Sequence, residues 1–194
     1  MQEFESPAAS HESRMIFTIG HGNRSIEELL ELLRGAGVEC LVDVRAFPAS
    51  RRHPQFGREA LERSLAAAGI RYLWEGNDLG GRRKPARDSR HVALSSPGFR
   101  AYADHMTTDA FRRGVERLVG TGRSTRACIL CAERLPWQCH RNLIADSLVA
   151  RGIPVSHLVV PGKVQPHVLS SLARREQDTL IYDAGEQPGL ALEP

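Results

Sequence analysis

A chain of 194 residues, 41% hydrophobic and 25% charged, has the length for one well-cored domain and the composition of an ordinary globular protein. No run approaches the ~18 consecutive apolar residues of a membrane span, and Met1 to Ser13 is acidic and polar, unlike a signal peptide, so a cytoplasmic protein without a membrane partner is expected. The formal charge of +3 hides an asymmetry: residues 1–14 carry −2 and residues 176–194 carry −5, which leaves +10 on the body between them.

In chain order, a disordered leader over residues 1–14 is expected to precede a short strand at Met15 to Ile19 and the loop Gly20-His21-Gly22-Asn23-Arg24. Ser25 and Glu28 have capping-box spacing, and Ile26, Leu29, Leu30, Leu32 and Leu33 form the apolar stripe of a helix that Gly35 and Gly37 stop. Val38 to Val44 reads as a buried strand ending in Asp43-Val44-Arg45, followed by a polar loop, a helix at Arg58 to Ala68 and a strand at Arg71 to Trp74. After an irregular segment from Glu75 to Ser96 come helices near Pro97 to Met106 and Thr108 to Val119. Then follow a strand at Arg126 to Leu130, a helix from Asn142 to Val149, a strand at Val155 to Val159 and a last helix near Gln165 to Arg175. Strands that alternate with helices, most of them without period-2 alternation, predict a single three-layer α/β domain over 15–175: a mostly parallel sheet, helices on both faces, and an acidic tail over 176–194.

In a parallel sheet the carboxyl ends of all strands share one edge, and ligand sites of open α/β sheets lie there. His21 follows the first strand, Asp43 and Arg45 end the second, Gly80 and Gly81 lie beyond the third, and Cys131 with Glu133 ends the fourth. The block Cys131-Ala-Glu-Arg-Leu-Pro-Trp-Gln-Cys139-His140-Arg141 then leads into a helix, whose positive N-terminal end favours an anion or a thiolate. These residues are expected to converge on one pocket. There Arg45, Arg51 and Arg141 would clamp an anion, Cys139 or Cys131 would be the nucleophile, and His21, Glu133 or His140 would handle protons.

Four cysteines in such a chain do not suggest a disulfide framework, and Cys40 and Cys128 read as small core residues. Cys128 and Cys131 spell C-x-x-C, but three positions apart on a strand they face opposite ways, which argues against redox pairing. Cys139 and His140 diverge by ~100° if both are helical and need not touch. Cys131, Cys139 and His140, with His21 or Asp43, could ligate zinc or iron, although an eight-residue step fits no standard finger. Tyr72 offers a stacking face, and Asp43 with Arg45 could be a structural ion pair. The stretch Arg45 to Arg58 holds four Arg and no acid, and Arg82 to His91 holds five bases against Asp88; Arg52, Arg82, Arg83 and Lys84 are the candidate contacts to nucleic acid, against the plainer reading of a solvated basic surface.

The strings Thr-Ile-Gly-His-Gly at 18–22, Leu-Val-Asp-Val-Arg at 41–45 with Pro48, Ser50 and Arg51 after it, Gly69-Ile-Arg-Tyr72, Leu79-Gly-Gly81 and the Cys131…Cys139-His-Arg141 block together resemble the bacterial domain of unknown function 488, over about residues 15–160. The resemblance implies a small α/β domain with a polar site made from these motifs and carries no settled reaction. The Asp-Val-Arg strand end followed by a Cys-ending strand and a helix also resembles, in topology, rhodanese-type sulfurtransferases. Their clamping Arg six residues past the cysteine is missing here, where Trp137 and Ala145 stand. The expected function is a cysteine-dependent transferase or hydrolase acting on an anionic substrate related to nucleotides or nucleic acid. The alternative is a non-catalytic nucleic-acid-binding module whose Cys/His cluster is structural or metal-bound. The sequence carries no expectation about oligomeric state.

Overall fold

The computed structural model describes residues 15–49 and 51–183; the expected leader, Ser50 and the tail beyond Asp183 lie outside the described residues. Five parallel strands, β1 (Ile16–Gly20), β2 (Cys40–Asp43), β3 (Arg71–Trp74), β4 (Ala127–Cys131) and β5 (Val155–Val160), form a sheet in the order β3-β2-β4-β1-β5, to which β6 (Lys163–Pro166) adds antiparallel at the β5 edge. β1, β2 and β4 are buried at every position, so they sit inside the sheet under cover on both faces, as their mainly apolar sequences without period-2 alternation require.

Two helices cover one face. In α1 (Ile26–Gly35) Ser25 and Glu28 form the expected capping box and Leu29, Leu32 and Leu33 are buried. α2 (Arg58–Ala67) buries Leu61 and Leu65 in the same core with Leu41, Cys128 and Leu130. On the other face α4 (Pro97–Met106), α5 (Asp109–Ser124) and α6 (Arg141–Ala150) pack with Cys40, Val42, Ile129 and Cys131. Cys128 and Cys131 therefore do face opposite cores. A short α3 (Gly76–Leu79) forms within the segment expected to be irregular.

β1 leads into α1 on one face, and its neighbour β4 leads into α6 on the other. Two adjacent strands whose connections part to opposite faces open a crevice at their carboxyl ends, the switch point where α/β sheets hold ligands.

The C-terminal part differs from expectation. Instead of a helix over 165–175, Pro161-Gly162, with Gly162 at φ 71°, turns β5 back into β6, and after a loop β7 (Ala173–Glu176) pairs antiparallel with β8 (Thr179–Tyr182). Pro166, which the first turn of a helix would tolerate, ends the edge strand β6 opposite Ser156. The expected domain boundary at 175 thus falls inside a hairpin, whose Leu180 and Tyr182 are buried in the α4–α6 core.

Candidate functional site

A cavity of about 560 Å³ opens at the carboxyl ends of β1, β2 and β4 and takes in His21, Arg45, Gly81, Cys131, Glu133, Cys139 and His140, seven of the residues singled out from sequence. Arg52 and Arg82 stand at its rim. Phe47, His53, Ser96, Phe99 and Gln138 complete the lining and were not expected there.

Arg45 is fixed by its neighbours. Its Nε and Nη2 donate to the two carboxylate oxygens of Asp43 at 2.9 and 2.6 Å, and its Nη1 donates to the Phe56 carbonyl at 2.9 Å. Tyr72 donates to the same carboxylate at 2.8 Å. Asp43 and Tyr72 consequently do not line the cavity; they hold Arg45 in place. Three of the five guanidinium N–H groups are engaged, which leaves one on each Nη for a ligand in the cavity that Arg45 lines. Burial lowers the Arg45 pKa, but the hydrogen bonds and charge of Asp43 outweigh it and leave the guanidinium above its ordinary value.

His140 caps the N-terminus of α6 and donates from Nε2 to the Val44 carbonyl at 3.3 Å, so Nδ1 is aimed between two sulfurs, Cys131 Sγ at 3.6 Å and Cys139 Sγ at 3.7 Å. The expected divergence of Cys139 and His140 does not apply, because Cys139 is still in extended backbone ahead of the helix. The ring rests against Tyr102, centroids 4.8 Å apart, and on Gly81, where an added Cβ would lie 2.4 Å from Nδ1; Gly81 is thus the residue that lets the imidazole in. Burial alone would push the Cys139 thiol up. Hydrogen bonds from Cys131 and His140, with the positive charges of His140 and Arg141, hold it well below the ordinary thiol value instead. The hydrogen bond to Cys139, followed by burial, pushes Cys131 well above it, so Cys131 is the proton-bearing member of the pair.

Two other groups are driven apart. His21, stacked on Phe56 and donating from Nδ1 to Gly22 O at 2.9 Å, is lowered to about 4 by burial, so at neutral pH Nε2 is a bare acceptor. The Glu133 carboxyl is raised by burial and by the charge of Cys139, which suits it to give a proton.

Arg141 is not where the sequence reading placed it. It is 1% exposed and donates to the Glu133 carbonyl at 2.5 Å and the Arg134 carbonyl at 2.9 Å, so it ties down the loop after β4 and does not clamp an anion in the cavity. That loop crosses so close to Gly20 that an added Cβ would lie 1.7 Å from the Glu133 carbonyl oxygen. The free backbone N–H groups expected at the helix start are also partly spent, since Asn142 and Leu143 donate back to the carbonyls of Cys139 and His140. Gly80 packs under the site against Gly76 and Ala46 without lining it. Arg83 is spent on Gly80 O and Asn77 O, and Arg51 and Lys84 are exposed away from the cavity. Arg82 instead lies over the ring of the exposed Phe47, 5.7 Å from its centroid. Cys131, Cys139 and His140 keep their ligand atoms within 4.8 Å of one another and could hold a soft metal ion; Asp43, weighed as a fourth ligand, is committed to Arg45 and Tyr72.

The family model described as "Domain of unknown function DUF488" matches residues 25–148. The chain belongs to the DUF488 family. The matched stretch contains the Asp43–Arg45 strand end, Gly80-Gly81 and the whole Cys131–Arg141 block of this DUF488 domain, whereas the His21 loop lies just before it. No curated protein and no solved structure matches the chain.

Buried histidines give the DUF488 domain a defined acid response. His21 and His157 are both lowered to about 4 by burial, and His91 and His105 are lowered in the same way. Between about pH 4 and 6.5 these rings hold more protons in the unfolded chain than in the folded one, so their contribution to stability rises with pH through that window and is constant above it. The raised Glu133 contributes in the opposite sense above its ordinary value. Urea midpoints taken from pH 7.5 down to 4.5 are expected to fall steadily below pH 6.5; a flat profile to pH 5 would contradict the neutral, buried state of these rings.

Proposed function

We propose that this DUF488 domain is a cysteine-dependent transferase or hydrolase of the cytoplasm, acting on a phosphate-bearing substrate related to nucleotides or nucleic acid. The observation that carries this reading is the guanidinium of Arg45, held by Asp43 with one N–H unspent on each Nη, in the same cavity as the Cys139 thiol and the His140 imidazole beside it. The anion binds these two N–H groups with Arg52 and Arg82 at the rim, and Phe47 and Phe99 offer apolar faces to a planar group. The Cys139 thiolate attacks the electrophilic centre and forms the bond to sulfur, while the bond to the leaving group breaks and Glu133 supplies that group with a proton. For hydrolysis, water then attacks the covalent intermediate as His21 takes its proton, and the thiolate departs.

Binding is measured first. Fluorescence anisotropy with labelled single strand and duplex, and competition by mononucleotides, is expected to show affinity that falls by about 0.7 to 0.9 log units per tenfold salt for each phosphate neutralised. Arg45→Lys keeps the charge and loses the guanidinium, so mononucleotide affinity is expected to drop about tenfold or more. Turnover lost in Cys139→Ser with binding retained supports an enzyme. Salt-dependent binding with no turnover by any substrate class, and indifferent to that change, supports the non-catalytic alternative. Absence of binding at low salt, together with indifference to Arg45→Lys, overturns the anion site.

A further inference from the structure

The proposed chemistry uses one sulfur, yet the cavity holds two. Cys131 and Cys139 are 4% and 3% exposed, line the same cavity, and approach one imidazole nitrogen at 3.6 and 3.7 Å. Their sulfurs and that nitrogen all lie within 4.8 Å of one another. Cys40 and Cys128 are fully buried and do not reach the cavity.

We propose that Cys131 is the resolving thiol of Cys139: after a hydroperoxide oxidises Cys139 to its sulfenic acid, Cys131 condenses with it to an intramolecular disulfide that closes the site reversibly. This rests on Cys139 being the reactive thiol of the preceding section and assigns a second role to the same pocket.

The steps balance. The Cys139 thiolate attacks one peroxide oxygen, the O–O bond breaks, and the departing alkoxide or hydroxide takes a proton to leave as alcohol or water. The Cys131 sulfur then attacks the sulfenic sulfur; the S–S bond forms, the S–O bond breaks, and the thiol proton leaves with the hydroxide as a second water. Two thiols have lost two hydrogens and the peroxide has been reduced. A dithiol in solution reverses the step by exchange.

The geometry fits this division of labour. A bonded pair needs S–S near 2.05 Å, so at most about 2.8 Å has to be closed, and a thiol sulfur moves by roughly 3 Å between neighbouring χ1 rotamers. Cys131 is fixed at the end of β4, whereas Cys139 lies in extended backbone between a single 3-10 turn at Pro136–Gln138 and α6, the less constrained partner.

The test uses the full chain, reduced, freed of reductant and exposed to a small excess of hydrogen peroxide, with intact mass and peptide mapping. A mass lower by two hydrogens, a single 131–139 disulfide and full return with dithiothreitol are expected. In Cys131→Ser, dimedone is expected to trap a sulfenic acid on Cys139, which otherwise proceeds to the sulfinic and sulfonic acids. Direct overoxidation of Cys139 in the unaltered chain with Cys131 left free, or a disulfide that uses Cys40, Cys128 or a second molecule, overturns the assignment. If Cys139 of the reduced chain alkylates rapidly but no 131–139 disulfide forms, the resolving role alone fails. If Cys139 neither alkylates nor oxidises, the nucleophile reading fails with it.

Discussion

Asp146→Ala is expected to destabilise the domain by about 3 to 5 kcal/mol, roughly a 10 °C fall in Tm for a chain of this size. Asp146 is fully buried on α6 and accepts from His167 Nε2, from the Ser170 backbone N–H and from the Tyr182 hydroxyl, each at 2.9 Å. Beyond His167 the chain of bonds continues to His157 Nε2 at 3.0 Å and from His157 Nδ1 to the Thr18 hydroxyl at 2.7 Å. One carboxylate therefore joins α6, the β6–β7 loop, β8 and the centre of β1. Alanine strands three buried donors and leaves a void, and each stranded donor costs about 1 to 3 kcal/mol. Asp146→Asn keeps an acceptor oxygen and is expected to lose less. Thermal and urea unfolding measure both; a loss below about 1 kcal/mol for the alanine variant would mean that the network contributes little.

That network also marks where the sequence stopped being legible. Residues 165–175 read as a helix, but in the structure Val164, Val168 and Leu172, although at helical spacing, are all exposed and that spacing buries nothing. The information lay instead in the turn residues Pro161-Gly162 and in Asp146, a buried acid between Ile144-Ala145 and Leu148-Val149 of α6. Local signals were readable wherever one element decided them: Ser25 with Glu28 fixed the start of α1, and the mainly apolar sequences of β2 and β4 placed those strands inside a parallel sheet. The shared edge of that sheet then brought His21, Arg45, Cys131, Glu133, Cys139 and His140 together, as strand-end logic requires. Strand ends say which edge a residue occupies and not which way its side chain turns. Asp43 turns to Arg45, and Arg141 turns to two carbonyls of its own loop, because a buried carboxylate or guanidinium must find partners before it can serve a ligand. Phe47 was missed because an aromatic residue in a loop carries no periodic signal, and Phe99 because it stands in the first turn of α4, far in sequence from every strand end.

Cys139 is expected to be the thiol that iodoacetamide labels first near neutral pH, and the shape of its pH profile is the informative quantity. An ordinary thiol with a pKa near 8.5 holds only about 3% thiolate at pH 7 and loses tenfold in rate for each unit below its pKa. Held below that range by Cys131, His140 and Arg141, Cys139 is expected to keep far more of its rate from pH 8 to pH 6 than such a thiol does. Its absolute rate is a poorer guide, since a low-pKa thiolate is a weaker nucleophile and the sulfur is only 3% exposed at the cavity floor. Cys128 is pushed far the other way by complete burial and is expected to label only on unfolding. His140→Gln removes the imidazole between the two sulfurs, so the profile should steepen toward that of an ordinary thiol, the rate at pH 6 falling relative to the rate at pH 8. Urea unfolding of the same variant separates that effect from a loss of fold. A tenfold fall per pH unit already between pH 8 and 6 in the unaltered chain, or first labelling at Cys40 or Cys128, removes Cys139 as the activated sulfur and with it the covalent chemistry proposed for this pocket.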